Sequence, residues 1–157
     1  MIDRMTRDIR SRFAAIHGGK IVRYETAELL LMDGTWESWP DLPIRLYTDS
    51  GKRISISWSR FDDLRIADDL SLPFSVEGST IRWVGNGIEI LKPALGATIG
   101  SVMLGRGEMS IEGREIEIWT RLLIRVDERW LEIFNALGEN GYALHSGRPT
   151  GTFIRCL

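Results

Sequence analysis

Two pairs of aspartates are the residues whose type and spacing most readily indicate chemistry. Asp62 and Asp63 precede a short apolar alternation over residues 64–66, and Asp68 and Asp69 follow it. Paired carboxylates can bind a hard cation, or raise one another's pKa for acid–base catalysis. The D-x-D-x-D-G order and the distal Glu of a calcium loop are missing. The segment therefore predicts either a solvated acidic rim or a docking surface for a basic partner.

The other residues with catalytic chemistry are scattered along the chain. His17 lies beside a Gly-Gly pair and His145 lies in a polar loop, and neither belongs to a nucleophilic-hydrolase motif. The single cysteine, Cys156, sits in an apolar run that is typical of a packed residue rather than a reactive thiol. No short-range pair of zinc ligands is present, and the glycine-rich stretch 96–107 lacks the Gly-Lys-Ser/Thr end of a phosphate loop. We predict no enzyme activity, no metal and no cofactor.

Two tryptophans lie in an acidic connection that contains two prolines. Trp36 and Trp39 either cover a sheet or serve as exposed anchors for a partner protein. Residues 25–89 carry twelve Asp and Glu against six Arg and Lys, although the whole chain has a formal net charge of only −2. We predict that the acidic residues and the tryptophans form one partner-binding surface. Its members are Trp36, Glu37, Trp39, Asp41, Asp62, Asp63, Asp68 and Asp69.

The elements that must position these residues are mostly strands. Apolar residues alternate along 44–46 and 54–58 on either side of Asp49-Ser50-Gly51, which predicts a β-hairpin. A second hairpin is predicted over residues 80–91, because Asn86-Gly87 tolerates the positive φ angles of a tight turn.

A short amphipathic helix is expected before the first strand. Its apolar residues recur at helical spacing and end before a glycine pair: Met5, Ile9, Phe13 and Ile16. This start lacks the continuous apolar core of a secretory signal, and no run approaches the ~18 apolar residues of a membrane span. With one cysteine and little net charge, we expect a cytoplasmic protein that binds neither membrane nor nucleic acid.

The second half of the chain repeats the order of features in the first half. Trp39 and Trp119 each stand five residues before an isoleucine that begins an alternating segment, which matches Ile44–Leu46 with Ile124–Val126. We therefore predict one domain over residues 1–157, mostly β (α+β), made of two similar antiparallel β meanders related by internal duplication. The repeat units span approximately 13–84 and 95–157, and the short helix lies at the N-terminus.

The order of glycine, isoleucine and then Ile-x-Ile-x-Trp runs over residues 19–58 and is echoed at 100–135. In this pattern, and in its size, acidity and β-rich build, the chain resembles small bacterial immunity proteins, which sit in the cytoplasm and block a cognate toxin by binding it. The resemblance implies a cognate protein partner, for example a basic toxin domain, that is occluded by acidic side chains and aromatic anchors.

A second hypothesis comes from another class of protein. Six tryptophans in a chain of two halves are compatible with a small-ligand-binding module. Its cavity would be lined by tryptophans, would lie between the two halves and would take an apolar or sugar-like molecule.

Overall fold

The computed structural model describes residues 2–157, which form an N-terminal helix, a 3₁₀-helix and eleven β-strands in two antiparallel sheets. The predicted mostly β fold with a short N-terminal helix is confirmed. In chain order the elements are α1 (Ile2–Ala14), β1 (Ile21–Leu30), β2 (Trp36–Ser38), β3 (Ile44–Thr48), β4 (Arg53–Trp58), β5 (Leu64–Ala67), β6 (Ile81–Gly85), the 3₁₀-helix (Glu89–Ala94), β7 (Ile99–Ile111), β8 (Arg114–Val126), β9 (Arg129–Asn135), β10 (Asn140–His145) and β11 (Phe153–Arg155).

The first sheet has the order β5-β4-β3-β1-β6. The first half of β1 pairs with β3. Its second half pairs with β2 along one edge and with β6 along the other. The predicted hairpin at its centre is confirmed, with Ile44 opposite Ile56 and Leu46 opposite Ile54. All four side chains are buried, as expected from the alternation of apolar residues in each strand.

The second sheet has the order β10-β9-β8-β7-β11. β7 and β8 have 13 residues each and are much longer than their neighbours β9 and β11. Their distal parts, residues 106–119, therefore pair only with each other over most of their length and form a two-stranded ribbon that we call the β7–β8 arm.

The core lies between the inner faces of the two sheets, with α1 packed at one side. Side chains from the helix and from both sheets are almost completely shielded from solvent: Ile9, Phe13, Tyr24, Ile44, Leu46, Trp58, Val102, Leu122, Ile124 and Ile133. Burial of each large apolar side chain contributes about 1.5–3 kcal/mol to folding, so this shared cluster holds the two sheets together.

The two sheets meet through hydrogen bonds that repeat 78 residues apart. The Gly18 N–H donates to the Ile99 carbonyl at 2.8 Å, and the Gly96 N–H donates to the Ile21 carbonyl at 2.7 Å. The strand order is also the same in both sheets when β7 is matched with β1 and β11 with β6. An origin of this likeness in an internal duplication stays a prediction.

The spacing of 78 residues differs from the match of Ile44 with Ile124 that the sequence predicted. Leu46 pairs with Tyr24 as Ile124 pairs with Val102, so Ile124 corresponds to Leu46 and not to Ile44. The two β-hairpins differ in loop length, and strand pairing rather than the nearest tryptophan sets the register.

The tryptophans show the same displacement. Trp119 pairs with Arg106 on β7, whereas the matching residue on β1, Glu28, pairs with Ser38. Trp119 thus corresponds to Ser38, one residue before Trp39.

The predicted hairpin over residues 80–91 is wrong. β6 pairs with β1, and the chain after the Asn86 turn enters the 3₁₀-helix instead of a returning strand. Asn86 does adopt a positive φ of 55°, but its side-chain oxygen accepts the Tyr24 N–H at 3.0 Å. The tyrosine hydroxyl in turn donates to the Ile88 carbonyl at 2.5 Å. Burial of Leu91 in the core then favours the helical turn over a two-stranded ribbon.

Candidate protein-docking surface

The eight residues predicted to form one surface lie in three places. Asp62 and Asp63 lie in the β4–β5 loop, and Asp68 and Asp69 follow β5. Because β5 separates them by several residues at about 3.3 Å each, the structure does not bring the two aspartate pairs together. The other four lie on β2 and in the β2–β3 connection: Trp36, Glu37, Trp39 and Asp41.

Asp68 and Asp69 make contacts within the chain. The Asp68 carboxylate lies 3.4 Å from a guanidinium nitrogen of Arg12 on α1. Asp69 accepts the hydroxyl of Ser71 and its backbone N–H at 2.9 Å, and these bonds hold the pKa of its carboxyl below the ordinary value. Asp68 thus lies beside α1, whereas Asp69 bonds within its own loop.

The two predicted tryptophans are half-buried against residues of the same chain. The Arg82 guanidinium stacks over the Trp36 ring at 4.2 Å. The Trp39 ring packs on Phe74, with centroids 5.8 Å apart, and its indole N–H donates to the Asp41 carboxylate at 3.3 Å. Through its contact with Phe74, Trp39 packs the 68–80 loop against the outer face of the first sheet.

Three loops from both sheets converge at one end of the molecule. The Asn140 N–H donates to the Pro40 carbonyl at 2.9 Å, which joins the β9–β10 loop to the β2–β3 connection. The Asn135 side-chain amide donates to the Ser59 carbonyl at 2.6 Å and also to the Phe61 carbonyl, which joins the same loop to the β4–β5 loop. We call the resulting patch the loop-end surface: Asp41, Phe61, Asp62, Asp63, Leu137 and Glu139.

The loop-end surface presents two large apolar side chains to solvent. Phe61 is 59% exposed and Leu137 is fully exposed at 101%. Both have left-handed backbone conformations, with φ of 56° and 57°. Such a conformation costs roughly 1–2 kcal/mol for a residue with a side chain, so glycine would be the cheaper choice at these positions.

Asn135 holds the two apolar tips in place. Its side-chain oxygen accepts the Gly138 N–H at 2.7 Å, while its amide group binds the Phe61 carbonyl. One side chain therefore orders both loops and sets Phe61 beside the Leu137 loop. Sequence reasoning missed this pair, although a large apolar residue inside a polar turn was a visible signal at each position.

The loops that carry the apolar tips, with the β2–β3 connection beside them, are rich in carboxylates. The three loops, residues 39–43, 59–63 and 136–139, contain four Asp and Glu against a single basic residue, Arg60. The Asp63 carboxylate accepts the Ser59 hydroxyl at 2.6 Å and is thereby fixed in the loop. The arrangement can bind a basic surface that offers an apolar recess.

A second cluster of charged groups lies on the outer face of the second sheet. Glu132, only 5% exposed, accepts Arg121 Nε at 2.5 Å and contacts His145 Nε2 at 2.7 Å. Burial by itself would raise the pKa of the Glu132 carboxyl, but the hydrogen bonds from Arg121 and His145 outweigh it and hold the pKa below the ordinary value. The cluster ties β8, β9 and β10 together as an ion pair with a histidine attached.

The cysteine and the metal-ligand types offer little chemistry. Cys156 is buried, and burial raises the pKa of its thiol to about 11, so the thiolate nucleophile is scarce at neutral pH. Over residues 2–157, no three His, Cys, Asp or Glu side chains lie close enough together to hold a metal ion.

The tryptophans are dispersed rather than gathered around one cavity. Trp58 is buried between the sheets, where its indole N–H donates to the Ile133 carbonyl at 2.8 Å. Trp83 lies under the Arg45 guanidinium at 3.4 Å, on the outer face of the first sheet. Two surface cavities lie on the second sheet. The side chains that line them come from Thr98, β7, β8, the β8–β9 turn and the segment around β11, and none of these side chains is a tryptophan. The ligand-binding hypothesis stays a prediction that this distribution does not favour.

Comparison with known protein families, with curated proteins and with solved structures finds no match for the chain. In the part of the chain that the structure describes, no helix has the length and apolar content needed to cross a membrane.

Proposed function

We propose that this protein is a binding protein that docks its loop-end surface on a basic partner protein, in the manner of an immunity protein that occludes its cognate toxin. The observation that carries the proposal is the exposure of Phe61 and Leu137 on loops joined by Asn135. Both large apolar side chains stay mostly exposed to solvent, and a partner that covers them would account for this exposure.

Burial of the two tips supplies the affinity. Transfer of a Phe or Leu side chain out of water contributes about 1.5–3 kcal/mol. Because the loops are already hydrogen-bonded, little additional ordering is needed on binding, and more of that free energy appears as affinity. Phe61 and Leu137 are thus the anchors of the interface.

The carboxylates make the surface selective for a basic partner. Asp41, Asp62, Asp63 and Glu139 form the acidic rim of the patch, and rim charges mainly accelerate association with a basic surface. Inhibition by occlusion requires no catalytic group, since the partner is blocked by the bulk of the inhibitor. A cytoplasmic location fits this role, because a toxin that acts on its producer must be neutralised there.

The test begins with the protein encoded beside this one. Its expression alone should arrest growth, and co-expression of this chain should restore growth through a complex of the two purified proteins. The double variant Phe61→Ser/Leu137→Ser should weaken the complex by about 100-fold or more, because hot-spot residues each contribute about 2 kcal/mol or more.

Met32→Ser is the matched control for this variant. Met32 is also fully exposed, at 107%, but lies in the β1–β2 turn. Its substitution should leave both protection and affinity unchanged. Undiminished binding of the Phe61→Ser/Leu137→Ser variant, with an unchanged melting temperature, would overturn the proposal.

A further inference from the structure

The β7–β8 arm leaves one edge of β7 without a neighbouring strand. Its turn, Glu112-Gly113, has φ of 52° and 76°, which is typical of a type I′ turn closed by a hydrogen-bonded pair. Ile111 and Arg114 form that closing pair. Hydrogen-bonded and non-hydrogen-bonded pairs alternate along an antiparallel ladder. The backbone N–H and C=O groups of Glu108 and Ser110 therefore point away from β8.

Nearer the start of β7, the same edge is paired with β11. β11 pairs with β7 only as far as Gly105, and the last bond runs from the Arg106 N–H to the Thr152 carbonyl at 2.9 Å. The edge at Glu108 and Ser110 continues this line with no strand beside it. β11 thus ends where the open edge begins.

A surface cavity of about 730 Å³ lies beside the open edge. Its lining comes from residues 106–110 of β7, from Glu115, Ile116 and Arg121 of β8, and from the segment 150–152 that leads into β11. Arg121 forms part of the lining, and its guanidinium is fixed by Glu132 and lies 3.4 Å from the Thr150 carbonyl. The cavity is therefore bounded by the fixed Arg121 side chain and by the unpaired edge of β7.

We propose that the open edge of β7 binds an extended segment of a partner protein as an additional strand, which continues the line of β11 through the cavity. Strand addition takes its affinity from the main-chain groups of Glu108 and Ser110 and its specificity from alternate side chains. This site is separate from the loop-end surface and does not rest on the function proposed above.

The two faces of the arm define the chemistry of the incoming strand. On one face Glu108 lies directly opposite Glu117, and Glu115 follows on the same side. Like charges directly opposite destabilise a ladder, and a neighbouring lysine or arginine relieves the repulsion. On the other face Met109 lies opposite Ile116, which is partly exposed. The fitting segment alternates basic and apolar side chains.

A second copy of this chain is a poor occupant of the site. Pairing two β7 edges would bring the glutamates of one arm beside those of the other, and like charges on edge strands protect proteins against such association. Charge complementarity selects a basic segment of another protein instead.

The probe is a short synthetic peptide of alternating lysine and valine. Bound to the full chain, it should slow the hydrogen exchange of the Glu108 and Ser110 amides, which an added strand covers. A peptide of alternating glutamate and valine should bind at least about tenfold more weakly, since it repeats the charge of the arm. Weakening of the loop-end surface by Phe61→Ser should not change the affinity for the peptide.

A proline variant and its alanine control test the role of the Ser110 backbone N–H. Ser110→Pro removes an N–H from the open edge of β7, and edge positions tolerate proline. It should reduce peptide affinity at least about tenfold, whereas Ser110→Ala should not.

Three results would overturn the inference. The first is no binding of the lysine–valine peptide at millimolar concentration, which would leave the glutamates as protection against aggregation. The second is amide shifts, in spectra of the wild-type protein, that map away from residues 106–110 and 150–152. The third is equal affinity of wild type and a folded Ser110→Pro protein. The wild-type map decides the question even where a proline variant fails to fold.

Discussion

Asp49 and Asp127 make the same two hydrogen bonds in the two halves of the molecule. The Asp49 side chain accepts the Lys20 N–H at 3.0 Å, and its own N–H donates to the Lys20 carbonyl at 3.0 Å. Asp127 does the same with Thr98, at 2.9 and 3.1 Å. Lys20 and Thr98 in turn form the antiparallel bridge that joins the two sheets. The likeness of the halves thus extends to a matched pair of aspartates beside their junction.

Asp49→Ala and Asp127→Ala should therefore have similar effects. Each removes one side-chain hydrogen bond to a backbone N–H at the junction, and we expect each to lower the free energy of unfolding by about 1 kcal/mol. Urea unfolding measures this. Glu128→Ala is the control, because its side chain is almost fully exposed, and it should change stability by less than about 0.5 kcal/mol. A large loss for one aspartate and none for the other would contradict an equivalent role.

Asn140 should be the most sensitive polar residue between the sheets. It is buried, its side-chain oxygen accepts the Trp58 N–H at 2.8 Å, and its amide donates to the Ile56 carbonyl at 2.9 Å. Asn140→Ala leaves the buried Trp58 N–H without a partner, at about 1–3 kcal/mol, and also removes one hydrogen bond to the Ile56 carbonyl. Thermal unfolding should show a clear fall in melting temperature. Asn140→Asp keeps the acceptor but loses the donor, so it should also destabilise; a neutral result for both would contradict this role.

The Glu132 cluster should make stability depend on pH in the acid range. The folded state holds the pKa of the Glu132 carboxyl below its ordinary value of 4.5. The stabilisation that the Glu132 carboxylate gives the folded state is therefore fully present above pH 4.5. It is lost as pH falls from about 4.5 through the lower folded pKa, where the carboxylate takes up a proton.

Glu132→Gln tests that pH dependence. It should cost about 3 kcal/mol at neutral pH, since Arg121 loses its partly buried counter-charge, and the difference from wild type should shrink below pH 4.5. Urea unfolding between neutral pH and pH 3 measures both. A difference from wild type that does not change with pH would show that the carboxylate charge is not the cause.

Reversal of charge in the β4–β5 loop should slow association with the basic partner. Asp62→Lys/Asp63→Lys replaces two carboxylates of the loop-end surface, and loss of charge pairing costs ~2–5 kcal/mol if the pairs are buried in the complex, which is tens to several thousand-fold in affinity. Stopped-flow association at several salt concentrations measures the effect. The melting temperature should change little.

Asp68→Lys/Asp69→Lys is the matched control for that reversal. It makes the same change of charge at the other end of β5, where Asp68 contacts Arg12. It should alter the association rate much less. Equal effects of the two double variants would show that total charge, and not the loop-end surface, governs association.

His145→Ala should leave the physiological activity unchanged. The imidazole contacts Glu132, whose carboxylate keeps its bonds to Arg121 when the histidine is removed. We expect protection by the chain to persist in a growth assay, with a modest loss of stability. A large loss of activity in a correctly folded His145→Ala protein would point to catalysis at this cluster.

The amino-acid sequence by itself determined the elements whose pattern is local. The alternation over 44–46 and 54–58 predicted the central hairpin, and the spacing of Ile9 and Phe13 predicted the buried face of α1; both are confirmed. Such patterns are readable because burial of one face selects the period of the backbone.

Only the tertiary structure decided which distant segments meet. Asn86-Gly87 has the residues of a hairpin turn, yet packing of Leu91 and the bonds of Tyr24 select a 3₁₀-helix after it. The loops that carry Phe61 and Leu137 are joined because Asn135 of the second sheet bonds the Phe61 carbonyl on a loop of the first sheet. Local sequence is silent on such contacts, since their free energy depends on side chains that folding brings together from far along the chain.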